Sequence, residues 1–182
     1  SSRFRALLIK LWKITLKFIS HRGNTRKKDP SKENSLEYID KAIQEGFHVE
    51  VDLQVKEGAF FLGHDTPDHK VSLDWLVQRS DYLYVHVKTM ECLSALCSFR
   101  ASKKLNYFFH DNDLCTITSH GEIWVHPRAS VVQGGIFVMP EIPGLSIHDL
   151  SLCSGICSDL VYHYRKDYNN IEVISNERQK DR

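Results

Sequence analysis

Residues 48–55 alternate with a period of two. Val49, Val51, Leu53 and Val55 fall on one side, and His48, Glu50, Asp52 and Gln54 on the other. That period marks a β-strand. In an open surface sheet the polar side would be wet. In a barrel both faces are covered, and polar residues facing the axis collect near the mouth. Short apolar runs bounded by turn residues predict further strands over 15–20, 59–62, 82–87, 106–110, 122–126, 135–139 and 155–158. Helical spacing appears mainly in the first half. Leu36, Ile39, Ala42 and Ile43 give one helix its inner face, with Asn34 read as its N-cap, Glu37 as the reciprocal cap, and Gly46 as its end. Shorter helices are predicted over 72–76 and 90–99. Phe4, Leu7, Leu8, Leu11 and Trp12 predict an amphipathic helix at the start of the sequence.

Early strands that alternate with helices predict βα units and a parallel sheet. The 182 residues fall short of the roughly 250 typical of a full (β/α)₈ barrel. The late strands are joined by short linkers with little helical pattern. The expected fold is therefore α/β, a reduced TIM-type barrel with a shortened second half and an N-terminal helix. Its parts are a basic amphipathic helix over 1–14, a barrel domain over 15–165 and a polar C-terminal tail over 166–182.

Charge changes this picture at one place. The whole chain carries 24 basic and 23 acidic residues, yet residues 1–28 hold nine basic and no acidic ones. The remainder is net acidic. A basic head on an acidic body suits a local phosphate or membrane contact and argues against a nucleic-acid-coating protein. The 1–14 helix either closes the bottom of the domain or lies peripherally on a lipid surface. Lys10, Lys13 and Lys17 interrupt the apolar run too often for a signal-peptide core, and no run reaches the roughly 20 residues of a membrane span. Five cysteines form no CxxC pair, which fits neither a zinc ribbon nor a disulfide scaffold. Reduced thiols in a cytoplasmic protein are expected, with Cys153 and Cys157 in the core.

The strand ends carry the candidate chemistry. Nearly every predicted strand finishes in ionisable residues: His21 and Arg22, Glu50 and Asp52, His86 and Lys88, His110 and Asp111, His126, Glu141, and Asp159. In barrel enzymes the active site is built from the C-terminal strand ends and the loops that follow.

The run ISHRGN, then Glu33-Asn34 before a helix, then VEVDLQV, then LGHD, in that order over about 17–65, resembles the glycerophosphodiester phosphodiesterase family. That family belongs to the phospholipase-C-like phosphodiesterases. HVK at 86–88 and GICSD at 155–159 resemble its later strands more loosely, and FFHDNDLCTITSHGEIWVHP is similar to a compact bacterial-type branch. The resemblance implies hydrolysis of a small phosphodiester, with His21 and His64 as an acid–base pair, since imidazole titrates near neutrality. It implies that Glu50 and Asp52 hold a divalent metal, Mg²⁺ or Ca²⁺ by their oxygen donors, with Mn²⁺ as a further choice. Arg22 and Lys88 would hold the phosphate. His86 stands where the family commonly has a glutamate ligand, and is read as a contact to the substrate phosphate; the alternative is an imidazole that ligates the metal and favours Mn²⁺ over Ca²⁺. His110 and Asp113 either complete the metal shell, contact the substrate or belong to an Asx-rich turn. The attacking group is water or a neighbouring substrate hydroxyl. The alternative from another class is a catalytically weak module that binds a phosphodiester-containing glycan or lipid head group.

Overall fold

The computed structural model describes residues 16–180, with side chains to 171. The expected 1–14 helix lies outside the described residues. The strands are β1 (Lys17–His21), β2 (His48–Lys56), β3 (Ala59–Leu62), β4 (His69–Val71), β5 (Leu83–Val87), β6 (Asn106–Phe108), β7 (Cys115–Ile117), β8 (Ile123–Val125), β9 (Ile136–Val138) and β10 (Gly155–Ser158). The helices are α1 (Leu36–Gln44), α2 (Leu73–Gln78), α3 (Met90–Ser98) and α4 (Val161–Lys180), with a 3₁₀ turn at Arg100–Lys104.

Seven strands run parallel in the order β6-β5-β2-β1-β10-β9-β8. This is the cyclic chain order of a TIM barrel, opened between β6 and β8. The remaining strands are antiparallel additions, β3 on β2, β4 on β3 and β7 on β8. No ladder joins β6 to β8; side chains and one loop close the seam. The Phe108 and Trp124 rings stack at 4.5 Å. Asn106 Nδ2 donates to Glu122 Oε2 at 2.7 Å, and the Ser119 amide donates to the Tyr107 carbonyl at 2.7 Å. The fold is the expected reduced barrel. Among the described residues no helix lies between β6 and β10, so the second half is joined by turns, as its missing helical periodicity implied.

The period of two sorts the barrel into layers. Outside, Val49, Val51 and Leu53 pack with Ile39 and Ala42 of α1, Leu76 of α2, and Cys92 and Leu96 of α3. Inside, Ile19, Tyr84, Phe108, Trp124, Ile136 and Cys157 form one apolar layer. Two residues earlier on three strands, Lys17, Asn106 and Glu122 bond into a polar floor, with Lys17 Nζ 2.6 Å from Glu122 Oε1. Two residues after the apolar layer come His21, His86, His110, His126 and Asp159. The alternation that buries one residue of each pair thus aims its successor at the mouth.

Local chemistry sets the helix starts. Ser72 Oγ accepts the Trp75 amide at 3.1 Å and Thr89 Oγ1 accepts the Cys92 amide at 3.2 Å, ordinary N-caps for α2 and α3. The expectation for α1 fails: its N-cap is Ser35, not Asn34. Asn34 is buried at φ 61 and turned to the barrel interior, where its side chain bonds Asp52. A tertiary hydrogen bond to a buried carboxylate has won over local capping. Helix α4 crosses the expected boundary at 166 and continues through the polar tail. Val161 and Tyr164 hold its start against the barrel. Among the described residues no helix is long and apolar enough to cross a membrane.

Candidate active site

The site begins at the end of β1. His21 and Arg22 leave the strand in a tight turn, with Arg22 in the left-handed region at φ 55. The Arg22 amide donates to the Glu50 carbonyl at 2.9 Å, and the Asn34 amide to the Arg22 carbonyl at 3.0 Å. Gly23 follows at φ 94, where a Cβ would lie 2.6 Å from the Tyr38 ring, so only glycine fits under α1.

His21 is 12% exposed, and its Nδ1 lies 2.8 Å from Asp159 Oδ1. Asn24 Nδ2 donates to the same oxygen at 2.8 Å. Asp159 is itself anchored: its amide and the Ser158 hydroxyl both donate to Glu141. With Nδ1–H given to Asp159, the lone pair of Nε2 is left toward Glu50, whose Oε2 lies 3.9 Å away. Burial works against charge on His21 but is outweighed by the Asp159 hydrogen bond and the Glu50 carboxylate, and its pKa is raised. Burial also opposes the charge of Asp159; the His21 hydrogen bond outweighs it and lowers that pKa.

Glu50 and Asp52, two apart on β2, face the same interior, 2% and 0% exposed. Asp52 Oδ2 accepts Asn34 Nδ2 at 3.0 Å and pairs with Arg22 Nε at 2.8 Å. Arg22 also reaches Glu33 at 3.2 Å. The other oxygen, Oδ1, faces His86 Nδ1 at 3.2 Å and Lys88 Nζ at 3.6 Å. His86 Nδ1 is 3.8 Å from Glu50 Oε1. Burial, then the charge of Asp52, raises the Glu50 pKa. Burial pushes that of Asp52 the same way, but His86, Arg22 and Lys88 outweigh it and hold the carboxyl well below the usual range. Glu50, Asp52 and His86 each offer one ligand atom within 4.8 Å of the others. Glu50 Oε2 and Asp52 Oδ1 are buried without a hydrogen-bond partner. Two buried carboxylates, each with an unpartnered oxygen, and an imidazole nitrogen within 4.8 Å of one another fit a cation.

The His86 ring stacks against Phe108, at 4.9 Å and 13°, and His110, at 4.6 Å and 4°, which lie side by side at 6.0 Å. His126 meets His110 edge-on at 6.3 Å. Burial, followed by His86 and His126, lowers the His110 pKa to about 4. His110 thus belongs to an aromatic stack beside the carboxylates. Asp113 is exposed in the following turn, outside the Glu50–Asp52–His86 group, and acts on the His110 ring by its charge.

His64 lies apart from this packing. Its side chain is 39% exposed, and Nδ1 bonds the exposed Asp65 at 2.7 Å. Its backbone is nevertheless tied to β2. The Gly63 amide donates to the Asp52 carbonyl at 3.0 Å, and Gln54 Nε2 donates to the Gly63 and His64 carbonyls at 2.7 and 3.1 Å. Gly63 sits at φ 149, and a Cβ there would lie 2.0 Å from the Thr66 carbonyl oxygen. Gly63→Ala is expected to cost more than about 1 kcal/mol and to shift the His64 turn. Denaturant unfolding checks the first effect; an unchanged midpoint would contradict it.

The structure therefore brings His21, Arg22, Glu50, Asp52, His86 and Lys88 together, stacks His110 beside them, and leaves Asp113 and the His64 ring outside these contacts. Reading by sequence missed the roles of Asp159, Asn24, Glu33, Asn34 and Glu141. The signal available was that Asp159 ends a strand with the parity of Cys157. A groove of about 500 Å³ between the 145–148 turn and α4 shares no residue with the cluster.

No family model and no curated protein matches the chain. Among solved structures, the fold is similar to that of a glycerophosphoryl diester phosphodiesterase from Parabacteroides distasonis, at 13% identity over 88% of each chain and a TM-score of 0.54. At that identity the likeness is one of fold, and it extends over nearly the whole barrel.

Proposed function

We propose that the protein is a metal-assisted phosphodiesterase of the glycerophosphodiester type, acting on a small phosphodiester at the barrel mouth. The observation that carries this reading is the Asp159–His21 pair facing the buried Glu50–Asp52–His86 cluster, with Arg22 and Lys88 beside it. A base, a cation site and two fixed positive charges are what cleavage of an anionic diester requires.

Glu50 and Asp52 would hold the cation, which would neutralise charge developing on the phosphate oxygens. His21 Nε2 takes the proton of the attacking water or substrate hydroxyl. Asp159 fixes the tautomer that leaves Nε2 free and balances the imidazolium that forms. Lys88 and the free donors of Arg22 hold the phosphate, and Asn34, Glu33 and Asn24 keep Arg22, Asp52 and Asp159 in place. His64 protonates the departing alkoxide from its turn. The carboxylate it touches, Asp65, is 90% exposed, which leaves the His64 turn open to a substrate approaching from solvent.

The test is a screen of purified protein against glycerophosphodiesters and generic aryl phosphodiesters, with and without Mg²⁺, Ca²⁺ and Mn²⁺. Turnover abolished by chelator and restored by one of these ions supports the reading; no turnover on any diester would overturn it. One observation favours a second reading, binding without turnover: the His64 ring pairs with Asp65 and with no member of the cluster.

Asp159→Asn tests the positioning role. Turnover is expected to fall by about a hundredfold or more with KM little changed, since the tautomer is no longer enforced. The interaction raising the His21 pKa is also lost. A base must be deprotonated to act, so the acidic limb of the kcat/KM profile should move to lower pH. A fall in activity with an unmoved limb would mean that Asp159 is merely structural.

A further inference from the structure

We propose that His86 is a direct nitrogen ligand, and that the Glu50–Asp52–His86 cluster therefore selects a first-row transition ion of the Mn²⁺, Co²⁺ or Zn²⁺ class over Ca²⁺ and Mg²⁺. This rests on the metal reading of the site given above, and it departs from the expectation that His86 touches the substrate phosphate.

Three observations carry it. First, orientation: Nδ1 faces Asp52 Oδ1 at 3.2 Å and Glu50 Oε1 at 3.8 Å, while Nε2 is buried with no partner. The nitrogen that could act is the one directed at the carboxylates. At 3.2 Å the two groups attract, yet the ring geometry leaves Asp52 Oδ1 without an aligned hydrogen bond. A donor nitrogen and a carboxylate oxygen converging without a hydrogen bond are placed as two ligands of one ion. Separations near 3 Å are what right-angled ligands at about 2.1 Å from a small ion would give.

Second, rigidity. The imidazole is stacked on the neighbouring Phe108 and His110 rings, at 4.9 and 4.6 Å, nearly parallel to both. The packing restricts rotation of the ring while its Nδ1 lies beside both carboxylates.

Third, charge. Ca²⁺ binding depends on the number of anionic oxygen ligands. Here there are two carboxylates, and Arg22 at 2.8 Å and Lys88 at 3.6 Å already oppose the charge of Asp52. A hard cation finds little net negative charge. An ion that also gains from imidazole nitrogen keeps its advantage under the same conditions.

The experiment uses the full chain, stripped with chelator and dialysed. Mn²⁺ is titrated and followed by loss of the free-ion EPR signal, alone and in competition with Ca²⁺ and Mg²⁺. Pulsed EPR of the bound Mn²⁺ reads nitrogen coupling. His86→Gln and His86→Glu are carried in parallel, with metal-free melting curves to confirm folding. Wild type is expected to bind Mn²⁺ at least about tenfold more tightly than Ca²⁺ and to show nitrogen coupling. The coupling should vanish in His86→Gln, and His86→Glu should reverse the preference toward Ca²⁺. Tighter Ca²⁺ than Mn²⁺ binding in wild type, bound Mn²⁺ without nitrogen coupling, coupling that persists in His86→Gln, or no divalent binding would each overturn the proposal. The wild-type measurements stand even where a variant fails to fold. Nitrogen-coupled Mn²⁺ in a protein that cleaves no diester would sustain this inference while the phosphodiesterase reading falls.

Discussion

His21→Ala is expected to lower turnover of a cleaved diester by about two to four orders of magnitude, and His64→Ala by a similar factor, the usual contribution of a positioned acid or base. The two variants should differ in stability. His21 is 12% exposed and bonded to a buried carboxylate. Its loss leaves Asp159 with Asn24 as its side-chain donor, at a cost of about 1–3 kcal/mol for the broken charged hydrogen bond. The His64 ring is largely in solvent with an exposed partner, so its removal should leave the unfolding midpoint nearly unchanged. The double variant should be barely slower than the slower single one, because a base and an acid serving one displacement fail together. Steady-state kinetics on the best substrate, with denaturant curves alongside, separate the effects. Near-normal turnover in His64→Ala would remove it from the mechanism and leave His21 to act with a water or with Lys88.

Much of this arrangement was legible because alternation carries it. Once strands are placed at 17–21, 48–56, 83–87, 106–108, 123–125 and 155–158, parity alone puts His21, Glu50, Asp52, His86, His110 and Asp159 inside the barrel. The partnerships were not legible. Asp159 and His21 are 138 residues apart and meet because β10 closes beside β1, a contact that no local pattern encodes. Asn34 preceded a helical stripe with Glu37 in capping register, so propensity pointed to a cap; the buried Asp52 carboxylate claimed its side chain instead. The direction of His86 was hidden for a related reason. Parity places the ring inside, but its stacking on Phe108 and His110 and the approach of Nδ1 to the carboxylates are tertiary contacts that no local pattern encodes. The β4 and β7 strands, three residues each, and the polar α4 lack the long periodic signal by which elements are recognised.

Asp52→Ala is expected to be the most destabilising change at the site. Asp52 is fully buried and joins four groups: Asn34 and Arg22 through one oxygen, His86 and Lys88 at the other. Alanine leaves Arg22, 14% exposed, with Glu33 and the charge of Glu50, and the lost partner of such a buried charge costs about 3–5 kcal/mol. Asp52→Asn keeps the shape and should cost less in stability, yet it halves the anionic charge of the cation site and should abolish metal-dependent turnover. The two variants also differ from wild type in acid. A carboxylate whose folded pKa is depressed contributes stability that is present above its unfolded pKa and lost as pH falls through the folded value. The pKa of Asp52 is depressed, so wild type should lose this contribution only below the ordinary carboxylate range, and Asp52→Asn should show a flatter acid dependence over that window. Denaturant unfolding at neutral pH and at successive steps into acid measures both effects. An Asp52→Ala protein within about 1 kcal/mol of wild type at neutral pH would mean that Arg22 finds solvent or another acid, and that Asp52 does not organise the mouth.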